Sequence, residues 1–239
     1  MKPEERNCIM MPELTEGVLM KRYKRFLADV RLKTGEVITA HCANTGGMHE
    51  CSEPGRKVWL SYHDKPGRKY KYSWDIIDMG SSLVGVSTSV PNRLVKLAVE
   101  AGLIDELNGY DRVKPEVKSG PDSRLDLALY ADGRRDCFVE IKNCTLVKDG
   151  IACFPDAVTT RGLKHLVELQ RLVKEKKRSV MFYLVQRMDA VRFEPAHHID
   201  PAYGAELIKA EKAGVEILVY DVSISTEFIK LGRKLPFVL

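Results

Sequence analysis

The chain lacks the segments that would carry it into or across a membrane. Glu4, Glu5, Arg6, Glu13 and Glu16 interrupt its first twenty residues, so the apolar core of a signal peptide is missing. Nor is any stretch apolar enough to span a bilayer. Cysteine is sparse: Cys8, Cys42, Cys51, Cys137, Cys144 and Cys153 include no Cys-x-x-Cys pair. A chain of 239 residues can bury its own core without disulfides, so reduced thiols and a cytoplasmic setting are expected. Internal repeats and low-complexity tracts are absent, which excludes a solenoid. Strong net charge is absent too. At +5 the total is only mildly basic, so a nucleic-acid partner has to be argued from where the charges lie.

What is present is an ordinary globular composition, 44% hydrophobic and 30% charged, in a length that allows one large or two small domains. From Gly17 to Val86 the residues read as short strands: Val18 to Leu32, Val37 to Cys42, Lys57 to Tyr62, Tyr70 to Met79 and Leu83 to Val86, separated by Gly, Pro and Asn-rich turns. Five such strands suit an OB-fold-like barrel over residues 1–86. Pro91 then opens a helix with Leu94, Val95, Leu97, Ala98 and Ala101 before Gly102. Beyond it lie strands near Val113 to Lys118, Arg124 to Tyr130 and Cys137 to Asn143, a helix from Thr160 to Lys177, and the apolar strand Ser179 to Val185. A helix from Ala202 to Ala213 and a strand from Val215 to Val222 complete a mixed α/β domain over residues 87–239.

The hairpin before the second helix carries the chemistry. Leu125, Leu127 and Leu129 alternate with Asp126, Ala128 and Tyr130, while Val139 and Ile141 alternate with Phe138, Glu140 and Lys142. Asp132-Gly133 is a turn signal, and symmetry about Gly133 sets Asp126 opposite Glu140, with Cβ atoms roughly 5 Å apart. Lys142 projects from the same face as Glu140. Two facing carboxylates repel, and a divalent cation, Mg2+ or Mn2+, relieves that repulsion through hard oxygen ligands. Such a cation polarises a phosphodiester, and a neighbouring ammonium stabilises the developing charge. The alternative is an ordinary strand ion pair between Glu140 and Lys142 with Asp126 capping a loop.

Basic and aromatic residues are interleaved elsewhere. Arg56, Lys57, Lys65, Arg68, Lys69 and Lys71 alternate with Trp59, Tyr62, Tyr70, Tyr72 and Trp74, and Lys21-Arg22-Tyr23-Lys24-Arg25-Phe26 repeats the mixture. Cations meet phosphates and rings stack on unpaired bases, so these faces suit a groove that tracks a strand, although some rings serve the core. His41, Cys42, His49 and Cys51 are ligand types for zinc, but match no familiar finger spacing, and the cysteines read equally as buried thiols. Lys174, Lys176, Lys177 and Arg178 close a helix, where cations complement the dipole. Thr159 and Thr160 read as a helix cap, and His197-His198 as loop residues.

An aspartate on one strand, Glu-x-Lys on the next and a following helix resemble the PD-(D/E)xK nuclease superfamily. The wider wording is similar to the sugar fermentation stimulation protein A family over nearly the whole chain. The resemblance is carried by Lys24-Arg25-Phe26-Leu27-Ala28-Asp29-Val30, Ala40-His41-Cys42-Ala43-Asn44-Thr45-Gly46, Pro91-Asn92-Arg93-Leu94-Val95, Ser123-Arg124-Leu125-Asp126 and Val139-Glu140-Ile141-Lys142-Asn143. Phe154-Pro155-Asp156-Ala157-Val158, Arg161-Gly162-Leu163-Lys164-His165-Leu166 and Gln186-Arg187 extend it. Gly47-Met48-His49-Glu50-Cys51 departs from the family's wording.

The resemblance implies an N-terminal OB-fold domain, a nuclease-like C-terminal domain, DNA binding and a role in regulating sugar (maltose) utilisation genes. It puts the nuclease signature on Asp126, Glu140 and Lys142, with Glu116 as a further candidate acid and Lys164 and His165 near the same cleft. The expected partners are DNA, single- or double-stranded, and a second copy of the chain. No membrane and no nucleotide cofactor are expected. Two functions follow: a DNA-binding regulator that keeps a nuclease-like metal site, or an active Mg2+- or Mn2+-dependent DNA endonuclease. A sugar-responsive protein ranks behind both, since no sugar pocket is recognisable.

Overall fold

The computed structural model describes residues 7–120 and 123–239. Glu4, Glu5 and Arg6, with the start of the expected first domain, lie outside them. The first strand, β1 (Cys8–Met10), is followed by β2 (Leu14–Tyr23), β3 (Leu27–Leu32), β4 (Val37–Cys42), β5 (Lys57–Tyr62), β6 (Tyr72–Asp78) and β7 (Leu83–Gly85). The expected single run from Val18 to Leu32 is thus a hairpin, broken where Lys24 and Arg25 take positive φ values of 50° and 66°. Strands β2 to β6 pair antiparallel, and β4 closes on β6 in parallel through Ala40 with Tyr72 and Cys42 with Trp74. This closed five-stranded barrel is the OB arrangement expected, but with a different fifth strand: the expected first strand supplies both β2 and β3, and β7 pairs with β6 beyond the closure.

Alternation builds the barrel core: Ala28, Val30 and Leu32 of β3, Val58 and Leu60 of β5, and Trp74 of β6 point inward and are buried. Gly17 is required by contact, because a Cβ there would lie 2.5 Å from Val30 Cγ1.

Helix α1 (Val90–Glu100) leads to a short 3-10 turn (Asp105–Leu107), then β8 (Arg112–Lys118), β9 (Arg124–Tyr130), β10 (Cys137–Cys144), β11 (Leu146–Lys148) and β12 (Ile151–Phe154). Helix α2 (Thr160–Lys174), β13 (Arg178–Val185), β14 (Arg192–Pro195), α3 (Pro201–Lys212), β15 (Glu216–Ile224) and β16 (Phe228–Lys234) complete the chain. Seven strands form one sheet in the order β1-β16-β15-β13-β10-β9-β8, with β10, β13 and β15 parallel at its centre. The seven residues from Ser179 to Val185 are all buried, as a strand covered on both faces must be. Leu94, Val95 and Ala98 of α1 cover one face, and Leu166 and Leu169 of α2 with Leu207 of α3 cover the other.

Strand β1 precedes the barrel in sequence but pairs with β16, so Cys8–Met10 belong to the second sheet and not to the expected first domain. Among the described residues, no helix is long and apolar enough to cross a membrane.

Candidate metal centre and nucleic-acid interface

Strands β9 and β10 pair through Leu129 with Cys137, Ala128 with Phe138 and Leu127 with Val139, the register that symmetry about Gly133 demands. The ladder stops there, at the step where Asp126 and Glu140 would face each other. Asp126 Oδ2 instead accepts the backbone N–H of Ile141 at 2.8 Å, and its Oδ1 accepts Asn92 Nδ2 at 2.7 Å from the first turn of α1. The strands therefore part at the two acids, and the aspartate side chain substitutes for a ladder bond.

Glu140 is only 2% exposed. Its Oε1 accepts Lys142 Nζ at 2.6 Å and meets His165 Nδ1 of α2, and Lys142 Nζ lies 3.0 Å from the same ring nitrogen. Glu140 Oε2 is buried with no hydrogen-bond partner. Burial pushes the Glu140 carboxyl up, but the His165 hydrogen bond and the Lys142 charge outweigh it and hold it below the ordinary range. At Asp126 the balance reverses: burial first, and then the Glu140 charge, outweigh the Ile141 and Asn92 hydrogen bonds and the Lys142 charge and raise the carboxyl to about 6.

Two carboxylates are what this chain offers a cation, for among the described residues no group of three His, Cys, Asp or Glu side chains is arranged to hold one. That donor set fits Mg2+ or Mn2+, ions commonly held by one or two carboxylates while water and phosphate fill the remaining positions. The orphaned Glu140 Oε2 is a carboxylate oxygen left free for such an ion.

Glu116 does not join this group: it is exposed, has a φ of 54° and pairs with Arg124 at 3.5 Å. His165 joins it directly, while Lys164 is exposed at the rim of a neighbouring cavity. Asn92 was missed by charge and spacing. It stands in the family-like stretch Pro91-Asn92-Arg93, but nothing local shows that α1 docks beside the hairpin.

The expected cationic face divides. Arg22 is consumed structurally: its guanidinium donates to the carbonyls of Arg25 at 2.7 Å, Gly46 at 2.9 Å, Asn44 at 3.0 Å and Gly47 at 3.2 Å. Arg68 likewise donates to Tyr70 O at 2.7 Å and Ser73 Oγ at 2.6 Å. Arg56 pairs with Glu53 at 2.7 Å, Lys71 with Asp64 at 3.0 Å, Lys57 with Glu16 at 3.8 Å and Lys21 with Asp29 at 3.4 Å. Lys24 and Arg25 stand exposed at the β2–β3 turn beside exposed Phe26, and Lys69 lies over the Tyr70 ring. Trp74 belongs to the core, donating Nε1–H to Ile76 O at 3.1 Å.

Cys42 and Cys51 are fully buried in the barrel, and burial pushes the Cys51 thiol up to about 12, so the pair reads as core rather than as zinc ligands. A cavity of about 810 Å3 lies between the barrel and the β1 edge, away from the carboxylates. Glu13, Glu16, Glu36 and Glu227 border it, the wrong sign for a phosphate chain.

A closed OB barrel joined to a mixed α/β domain with a buried Glu-Lys-His cluster defines a two-part class of protein. Residues 20–86 match the model of the SfsA N-terminal OB domain, and residues 89–228 match that of the sugar fermentation stimulation protein RE domain. The chain belongs to the sugar fermentation stimulation protein family. It is 48% identical over 230 residues to a sugar fermentation stimulation protein homolog of Geotalea daltonii, covering 96% of this chain and 99% of that one. A homolog from Pelobacter propionicus is 49% identical over 229 residues, covering 96% and 99%. The solved structure of Pyrococcus furiosus SfsA, in complex with Ca2+, matches with a TM-score of 0.87 at 27% identity, covering 97% of this chain and 98% of that one.

Proposed function

We propose that this is a DNA-binding protein in which Asp126 and Glu140 hold a divalent cation, Mg2+ or Mn2+, against the phosphate backbone, in a nuclease-like domain. Its place in the cell is the control of sugar-utilisation genes, in keeping with the name its relatives carry. One observation carries the reading: Glu140 Oε2 is buried without a partner beside a second carboxylate. An anionic oxygen at that depth is costly unless a cation or donor meets it. The Ca2+ in the Pyrococcus relative supports the choice of a hard cation with oxygen ligands.

When bound, the cation would supply Lewis acidity toward a phosphodiester and toward water. The protein's own groups set the stage. His165 and Lys142 fix the rotamer of Glu140 through Oε1, and Asn92 and Ile141 fix Asp126. The Lys142 ammonium offsets part of the carboxylate charge and would stabilise charge developing on a phosphate held at the centre. Affinity for DNA comes from exposed cations, Lys24 and Arg25 among them.

Hydrolysis of the phosphodiester is the second reading, and the hydrogen bond between Lys142 and Glu140 favours it, because a binding site has no need of an ammonium beside its metal ligand. Supercoiled and single-stranded DNA incubated with Mg2+, Mn2+ or EDTA, beside Glu140→Ala and Lys142→Ala variants, tests both. Steeply salt-dependent binding, with Mn2+ binding lost in Glu140→Ala, is the expected result. Cutting that requires metal and is lost in both variants establishes the endonuclease. Absence of DNA binding even at low salt defeats the proposal.

A further inference from the structure

We infer that the cavity at the start of α2 is a phosphate-binding subsite that seats a phosphate group of the bound DNA strand beside the Asp126–Glu140 centre. The cavity is about 410 Å3 and is lined by Ser123, Arg124, Thr160, Arg161, Lys164 and His165. Three of these six are cations and none is an acid. Arg161 and Lys164 are exposed and make no ion pair among the described residues; Arg124 pairs only with exposed Glu116, at 3.5 Å. Two unpaired cations and a third in a loose surface pair, gathered around one hollow, give it a positive potential that attracts an anion.

Two further features give the hollow its chemistry. At the first turn of α2 the N–H of Gly162 is taken by Thr159 Oγ1 at 3.0 Å and that of Leu163 by Thr159 O at 3.1 Å. The N–H groups of Thr160 and Arg161 have no acceptor among the described residues, and both residues line the cavity. Independently of the helix end, His165 is only 7% exposed and lines the same hollow. Its Nδ1 is engaged by Glu140 and Lys142, and its Nε2 has no hydrogen-bond partner among the described residues. Free amides, guanidinium forks, an ammonium and an unpartnered imidazole nitrogen together are the donors a tetrahedral oxyanion uses.

Because His165 touches both the hollow and Glu140, the subsite is one side chain away from the proposed cation. A phosphate held there fixes which neighbouring linkage of the strand reaches the carboxylates. The anion site stands on the cavity alone, whereas its assignment to DNA rests on the function proposed above. Its source is either a terminal phosphomonoester or an internal phosphodiester.

The test uses the full chain and an Arg161→Ala/Lys164→Ala double variant, with Arg161→Lys/Lys164→Arg as the charge-conserving control and Mn2+ binding as the check on folding. Inorganic phosphate is titrated calorimetrically, and oligonucleotides with 5′-phosphate or 5′-hydroxyl ends are titrated by fluorescence anisotropy at several salt concentrations. Expected are loss of the phosphate signal and at least a tenfold loss of DNA affinity. The salt dependence should flatten by about 0.7–0.9 in log–log slope, as loss of one neutralised phosphate requires. The control should retain all three, and Mn2+ binding should survive in both variants.

Loss confined to 5′-phosphorylated strands assigns the terminal group, and equal loss assigns the internal linkage. A double variant with wild-type phosphate response and wild-type salt slope overturns the subsite while leaving DNA binding intact. A wild type that loses its phosphate response on mutation, yet binds no DNA, keeps the anion site and removes the DNA reading.

Discussion

Asp126 must be ionised to hold a cation, yet burial and the Glu140 charge raise its carboxyl from 3.8 to about 6. The folded state therefore binds the proton more tightly than the unfolded chain. The stability this contributes is complete below pH 3.8 and is lost as the pH rises through about 6, a change of about 3 kcal/mol. In EDTA, urea unfolding from pH 4 to 7 should show wild type losing stability relative to Asp126→Asn by that order; parallel curves would contradict it. Mn2+ affinity should fall as the pH drops below about 6, since the proton and the cation compete for one carboxylate. Arg22 shows the opposite economy, a cation held in place by four carbonyls. Arg22→Ala should cost about 2–3 kcal/mol in denaturant unfolding, because carbonyls lose a charged donor. A Lys24→Ala/Arg25→Ala variant should leave stability unchanged and weaken DNA binding.

At the scale of elements, the β9–β10 hairpin was legible because its turn and alternation are local: the register from Leu127 with Val139 to Leu129 with Cys137 follows from Asp132-Gly133 alone. Pairs formed across the chain left no such signal. β1 meets β16 from opposite ends of the sequence, and β12 lies parallel to β14 across a helix and a strand. The stretch Asn44-Thr45-Gly46 gains its meaning from the same kind of distant contact. Asp156 Oδ2, from the Phe154-Pro155-Asp156 stretch, accepts the N–H of Met48 at 3.0 Å, and a Cβ on Gly46 would stand 2.5 Å from that oxygen. The loop after β4 and the loop after β12 are thus two halves of one latch between the barrel and the α/β unit. Asp156→Ala should destabilise the protein by about 1–3 kcal/mol, as a buried N–H loses its acceptor. Unchanged unfolding on urea titration would show that the latch is idle.

At the scale of the whole molecule, the barrel and the α/β unit are joined by that latch and by smaller contacts: Gly85 N–H donates to Gln186 O at 2.9 Å, and Ser81 Oγ to Asp189 Oδ2 at 2.7 Å. These connections hold the exposed Lys24-Arg25 turn and the carboxylates in one frame, as the proposed binding of one DNA strand by both would require. The sequence by itself determined the barrel followed by a mixed α/β unit, most of the barrel strands, the buried apolar strands at the centre of the second sheet and the shared face of Glu140 and Lys142, because those depend on period, turn chemistry and burial within short windows. The β2–β3 hairpin and the parallel pairing did not show. Only the tertiary structure decided that the ladder ends at Asp126, that Asn92 and His165 complete the cluster, that Glu116 stands outside it and that Arg22 is spent on carbonyls. Each of those depends on which distant helix, strand or loop comes to rest against a residue, and no local pattern encodes that.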